Sequence, residues 1–107
     1  MTENRDASAA QKQFGDIAPK LAELTDRVLF GEVWPGPELS PRDRSIVTVT
    51  ALITGGHTEQ LPFHLKRALD NGVTRDEIVG IITHLAFYAG WPRAMSALQV
   101  VKDVLSK

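Results

Sequence analysis

At 107 residues, with 43% apolar and 23% charged side chains, the chain has the size and balance expected of one water-soluble globular domain. Twelve Lys and Arg against thirteen Asp and Glu leave a net charge of -1, so neither nucleic acid nor an anionic membrane surface is an expected partner. Cysteine is absent, which excludes disulfides, thiolate nucleophiles, zinc-thiolate centres and dithiol redox chemistry. The opening Met1-Thr2-Glu3-Asn4-Arg5-Asp6 has no apolar signal core and no stretch approaches the roughly 20 apolar residues of a membrane span, so the expected location is cytoplasmic.

Residues 1–9 are polar and without periodicity and read as a flexible lead, and 10–107 as the domain. From Ala10 to Phe30 the residues Phe14, Ile17, Leu21, Leu24, Val28 and Leu29 recur at helical spacing, which predicts a first helix bent near Pro19 and broken by Gly31. Val33-Trp34-Pro35-Gly36-Pro37 reads as a loop. Ser40-Pro41-Arg42-Asp43 reads as the start of a second helix that runs to about Thr54 and stops at Gly55-Gly56. Pro62 is tolerated only in a first turn, so a third helix is expected to begin near Thr58 to Gln60 and to end at Asn71-Gly72. Thr74-Arg75-Asp76-Glu77 is a capping box opening a fourth helix to Gly90, and Pro92 stands near the start of a fifth that reaches the C-terminus. The fold class is therefore all-α, with no alternating strand pattern and no repeat.

In the second helix Ile46, Val47, Val49, Leu52 and Ile53, and in the fourth Ile78, Val79, Ile81, Ile82, Leu85 and Phe87, go most of the way round the axis. A domain of this size buries only about two-thirds of its unfolded surface. Cover from a second copy of the chain is the simplest remedy, and a homo-oligomer is expected.

His57, His64 and His84 are the residues best suited to proton transfer near neutral pH. His64 falls among Leu61, Phe63, Leu65 and Ala68, and His84 interrupts an apolar run, so a packed histidine is the competing reading for both. A zinc site would need three or four ligands of metal-binding type, and no metal is expected. Arg42 and Arg44 stand in the first turn of the second helix, where the dipole and free N–H groups already favour an anion such as a substrate carboxylate. The alternative is that they are solvated or paired with Asp43, Glu38 or an acid of another copy. Tyr88, Trp91 and Trp34 could wall a small-molecule pocket or simply anchor helix ends.

The stretch His64-Leu65-Lys66-Arg67-Ala68-Leu69-Asp70-Asn71-Gly72-Val73-Thr74, then Glu77-Ile78, then His84-Leu85-Ala86-Phe87-Tyr88-Ala89-Gly90-Trp91-Pro92, resembles the carboxymuconolactone decarboxylase family over roughly residues 30–105. The resemblance implies an AhpD-like helical domain of about five to six helices that assembles as a trimer or hexamer. It also implies two chemistries. A peroxidase branch uses a Cys-x-x-Cys pair, whose places are taken here by His57 and Gln60, and a glutamate, near whose place stands Ser45. No thiol peroxidase activity is therefore expected. A decarboxylase branch acts on a carboxylated lactone in aromatic-acid breakdown, and the resemblance matches Arg42, Arg44, His64, His84 and Tyr88 to its residues. It implies His64 and His84 as catalytic candidates with Arg42, Arg44 and Tyr88 around the substrate; His57 and Trp91 are expected to border the substrate as well, and no cofactor is expected. A cation would hold carboxylate while a proton-donating histidine stabilises the dienolate left by carbon dioxide. Where the decarboxylases tend to read Ala-Ala-Asn after the proline, Arg93-Ala94-Met95 follows here, and Trp91 replaces a smaller residue. A related lyase, isomerase or oxidoreductase of other substrate, or a non-catalytic oligomeric scaffold, is the alternative.

Overall fold

A computed structural model describes residues 8–106, and up to residue 7 the expected N-terminal lead lies outside the described residues. Six α-helices and one π-helical segment account for the described secondary structure, with no strand among the described residues. They fall in two compact units, one reaching Pro41 and one beginning at Arg42.

In the first unit the single bent helix expected over Ala10–Phe30 is instead three pieces: α1 (Ala9–Phe14), α2 (Pro19–Leu24) and a π-helical run over Thr25–Val33. Pro19 is the reason for the first break, because its ring is accommodated at the first position of a helix and not inside one. Gly31 does not end the helix. The wider turn carries the chain past it, and Trp34 N–H donates to the Leu29 carbonyl five residues back at 3.0 Å. The buried Asp26 closes the start of α1, its carboxylate accepting from Ala10 N–H and Gln11 N–H at 3.0 Å each.

The second unit holds α3 (Pro41–Gly55), α4 (Leu61–Asp70), α5 (Arg75–Tyr88) and α6 (Trp91–Leu105). Each contributes one stripe to a common core: Val49 and Ile53 from α3, Leu61, Leu65 and Ala68 from α4, Ile78, Ile82 and Leu85 from α5. α6 packs against both α4 and α5, and its own stripe of Ala94, Ala97 and Val101 is small, which lets all three axes approach closely.

Local chemistry fixes the ends of these helices. α4 stops in a Schellman closure: Val73 N–H donates to Ala68 O at 2.9 Å and Gly72 N–H to Leu69 O at 3.1 Å, with Gly72 at φ +99°, where a side chain would be strained. The capping box of α5 is complete, Glu77 N–H donating to Thr74 Oγ1 at 3.1 Å and Thr74 N–H to Glu77 Oε1 at 2.9 Å. α3 does close at Gly55-Gly56, and α4 and α6 each take a proline at the second helical position.

The all-round apolar character of α3 and α5 has a visible result. Val47 on α3 and Val79, Phe87 and Tyr88 on α5 are exposed, and Trp91 and Met95 of α6 are exposed as well. Among the described residues, no helix is long and apolar enough to cross a membrane.

Candidate active site

His64 sits on the second turn of α4, half-buried, with its ring edge-on to Phe63 at 4.9 Å and 88°. Its Nδ1 is shielded from solvent. Burial, and secondarily the positive charge of Arg67 one turn further on, push its pKa below the ordinary imidazole value. The imidazole is therefore neutral at neutral pH, carrying one N–H donor and one acceptor nitrogen. Arg67 is 7% exposed and its Nε is shielded too, so α4 carries a half-buried histidine and a buried guanidinium three residues apart. Lying beside the core stripe of Leu65 and Ala68, Arg67 carries no sequence mark that separates it from a solvated arginine.

His84 is exposed, which removes the reading of a core histidine within this chain. It lies on the outer side of α5, stacked on Tyr88 four residues on at 4.7 Å and 24°. Next to this pair the exposed Phe87 meets Trp91 edge-on at 5.3 Å, and both border an apolar cleft of about 170 Å3 between α5 and α6. The sequence-predicted Tyr88, His84 and Trp91 thus gather around one end of α5, away from water only if something covers them.

Arg42 is engaged. Its guanidinium pairs with Glu77 and lies 3.8 Å from Asp43, and the Glu77 carboxyl is held below its usual range by the Thr74 N–H and by Arg42. Glu77 thereby fastens the start of α3 to the start of α5 while serving as the third residue of the capping box. A second link runs beside it, Asn71 Nδ2 donating to the buried Ser45 Oγ at 3.0 Å. The Asn-Gly and Thr-x-x-Glu elements of the sequence are accounted for by these contacts. Arg44 is half-buried, with its Nε shielded. His57 lies in the turn after α3, so it does not share a continuous helix with His64. Its N–H donates to the Leu52 carbonyl at 2.8 Å and it borders a polar cavity of about 220 Å3.

The sequence contains no cysteine, so none of these residues can supply thiol redox chemistry. The chain belongs to the carboxymuconolactone decarboxylase family, which matches residues 19–103. It is 33% identical over 93 residues to the 4-carboxymuconolactone decarboxylase of Acinetobacter baylyi, covering 87% of this chain and 69% of that one. It is 32% identical over 84 residues to a nitrosuccinic acid decarboxylase of Metarhizium robertsii, covering 78% of this chain and 59% of that one. With these relatives the chain is an enzyme of the lyase type and decarboxylase-like.

Proposed function

We propose that this enzyme removes a carboxyl group from a small carboxylic acid or carboxylated lactone, with His64 as the residue that handles the proton. The observation that carries the reading is the half-buried place of His64 on α4, with the buried Arg67 one turn further on. In decarboxylation the C–C bond breaks heterolytically, carbon dioxide leaves, and the electron pair stays on the substrate carbon, delocalised into a neighbouring carbonyl, nitro or unsaturated ester group. A proton then takes the place of the lost carboxyl group. An imidazolium beside the departing carboxylate would hold the ground state, whose charge the transition state disperses, and would slow the reaction. A neutral ring N–H instead strengthens its hydrogen bond as negative charge develops on the acceptor group, and can pass its proton to the substrate carbon as the other ring nitrogen takes one from water, the hydroxide left joining the carbon dioxide as bicarbonate.

The two relatives act, by their names, on carboxymuconolactone and nitrosuccinic acid, which supports a polar acid whose carbanion has such an acceptor next to it. Arg44 and His57 remain around the substrate in this reading. Arg42 serves the fold through Glu77. Self-association, as a trimer or hexamer, is part of the proposal. The exposed Phe87, Tyr88, Trp91 and Met95 support it, because a partner copy would turn the open cleft at the end of α5 into an enclosed pocket. The test is an ultraviolet assay of the purified protein with carboxymuconolactone and with nitrosuccinic acid, coupled to carbon dioxide detection. Release of carbon dioxide that depends on His64 supports the reading, and none from either acid counts against it.

A further inference from the structure

α3 closes as α4 does. Gly56 N–H donates to Ile53 O at 3.1 Å and His57 N–H to Leu52 O at 2.8 Å, with Gly56 at φ +73°. Two side chains able to carry positive charge are folded down onto this closure. The His57 ring lies over Gly55, and the Arg93 guanidinium, from the first turn of α6, lies over Gly56, each in the space a Cβ would need. Gly56 is required by its backbone conformation, and the guanidinium occupies the space that the missing side chain leaves. Neither the His57 ring nor Arg93 has a hydrogen bond or ion pair among the described residues, in contrast to Arg27 with Glu23 and Arg42 with Glu77.

The carbonyl end of α3 carries the negative pole of the helix dipole, which holds a cation in place before any ligand arrives. What remains unused is the fork of guanidinium N–H donors, whose geometry fits a carboxylate with two parallel bonds. Gly56, over which the guanidinium lies, borders a polar cavity of about 220 Å3 together with His57, Thr58, Glu59 and Gln60. Glu59 is the acidic group on that wall, so an anion gains only where it reaches the guanidinium itself. Gln60 is the N-cap of α4 in helical conformation, and His64 stands four residues on, above it on the same side of the helix.

We propose that Arg93, with His57 beside it, forms a carboxylate-recognising subsite that holds the carboxyl group a substrate keeps, as distinct from the one it loses. Arg93 is then a specificity-determining residue, and the substrate class is narrowed to dicarboxylic acids. The chemistry requires this division of labour, since a cation on the departing carboxylate would stabilise the ground state that must be left. Its meaning rests on the decarboxylase reading, but its test does not.

The experiment is calorimetric titration of succinate, with succinamide as the uncharged control, into the wild-type protein and into Arg93→Gln, Arg93→Lys and, as a control at an exposed arginine on α5, Arg75→Gln. Wild type is expected to bind succinate and not succinamide. Arg93→Gln should weaken succinate at least tenfold at unchanged melting temperature, Arg93→Lys should weaken it less, and Arg75→Gln should bind as wild type does. Equal succinate affinity in wild type and Arg93→Gln, or wild type that does not prefer succinate to succinamide, overturns the proposal. So does a lowered melting temperature at unchanged affinity, which would mark Arg93 as a helix cap only. Arg93-dependent binding in a protein that releases no carbon dioxide from any acid would leave the subsite standing and remove the decarboxylase reading, and turnover without Arg93 dependence would do the reverse.

Discussion

Replacing Phe87 by serine separates the stability of the folded chain from the stability of its assembly. Phe87 is 74% exposed in the single chain and meets the 57% exposed Trp91. Because so little of its ring is buried, the substitution should leave the fold of the individual chain nearly unchanged. Fully burying a phenylalanine is worth about 1.5–3 kcal/mol, so covering the exposed three-quarters in an interface contributes about 1–2 kcal/mol for each copy. An isologous contact counts it twice, about 2–4 kcal/mol, which is roughly a thirty- to several-hundredfold change in dissociation constant. Light scattering over a dilution series from high to low micromolar concentration reads this directly. Wild type should stay associated, while Phe87→Ser should dissociate within the series and show a melting temperature that depends on concentration. A wild-type monomer throughout, or a variant as tightly associated as wild type, would refute the claim that the end of α5 is an interface.

Other expectations follow from particular contacts. Thr74→Ala removes the acceptor for Glu77 N–H at the start of α5 and should cost about 1 kcal/mol by chemical denaturation. The His64 imidazole takes up its proton at lower pH in the folded chain than in the unfolded one, so between the ordinary value near 6.5 and the folded value the unfolded state binds more protons. Stability should therefore decline as pH falls from about 7 through that window and level off below it, and denaturant titrations of His64→Gln should show a shallower decline. With no cysteine in the sequence, a thiol-coupled hydroperoxide assay should give only the buffer rate, and turnover above it would contradict the exclusion of peroxidase chemistry.

Helix positions after Ser40 could be read in the sequence because they are set by local punctuation. Pro62, Asn71-Gly72, the Thr74–Glu77 box and Pro92 act within a turn of their own position, and the helices begin and end within a few residues of these marks. The first forty residues were less legible. A periodic apolar pattern does not distinguish a continuous α-helix from α2 followed by a π-helical run, because the spacings of three and five between Leu21, Leu24 and Leu29 are compatible with either. The excess apolar residues of α3 and α5 pointed to exposed Val47, Val79 and Phe87. His84 misled, since its neighbours Ile81, Ile82 and Leu85 are apolar while the stripe that is buried runs through Ile78, Ile82 and Leu85 and leaves position 84 outside. For Arg42 the sequence left an anion site and a pairing with an acid both open, and did not point to Glu77, 35 residues away, because only the fold brings the two together. Arg67 and Arg93 have the same cause: what makes each distinctive, burial in one case and a seat over Gly56 in the other, is tertiary.

The measurement that bears most directly on the account is turnover by His64→Gln alongside His84→Gln, with carbon dioxide release followed for whichever of carboxymuconolactone or nitrosuccinic acid the wild type accepts. Replacing a residue that transfers the proton typically costs about a hundred- to ten-thousandfold in rate. The account predicts a loss of that order for His64→Gln, at wild-type assembly and with a neutral-pH melting temperature close to wild type. His84→Gln, which loses only a surface stack on Tyr88 in the single chain, should keep its fold. Wild-type turnover by His64→Gln would contradict the central claim and move the chemistry to another residue.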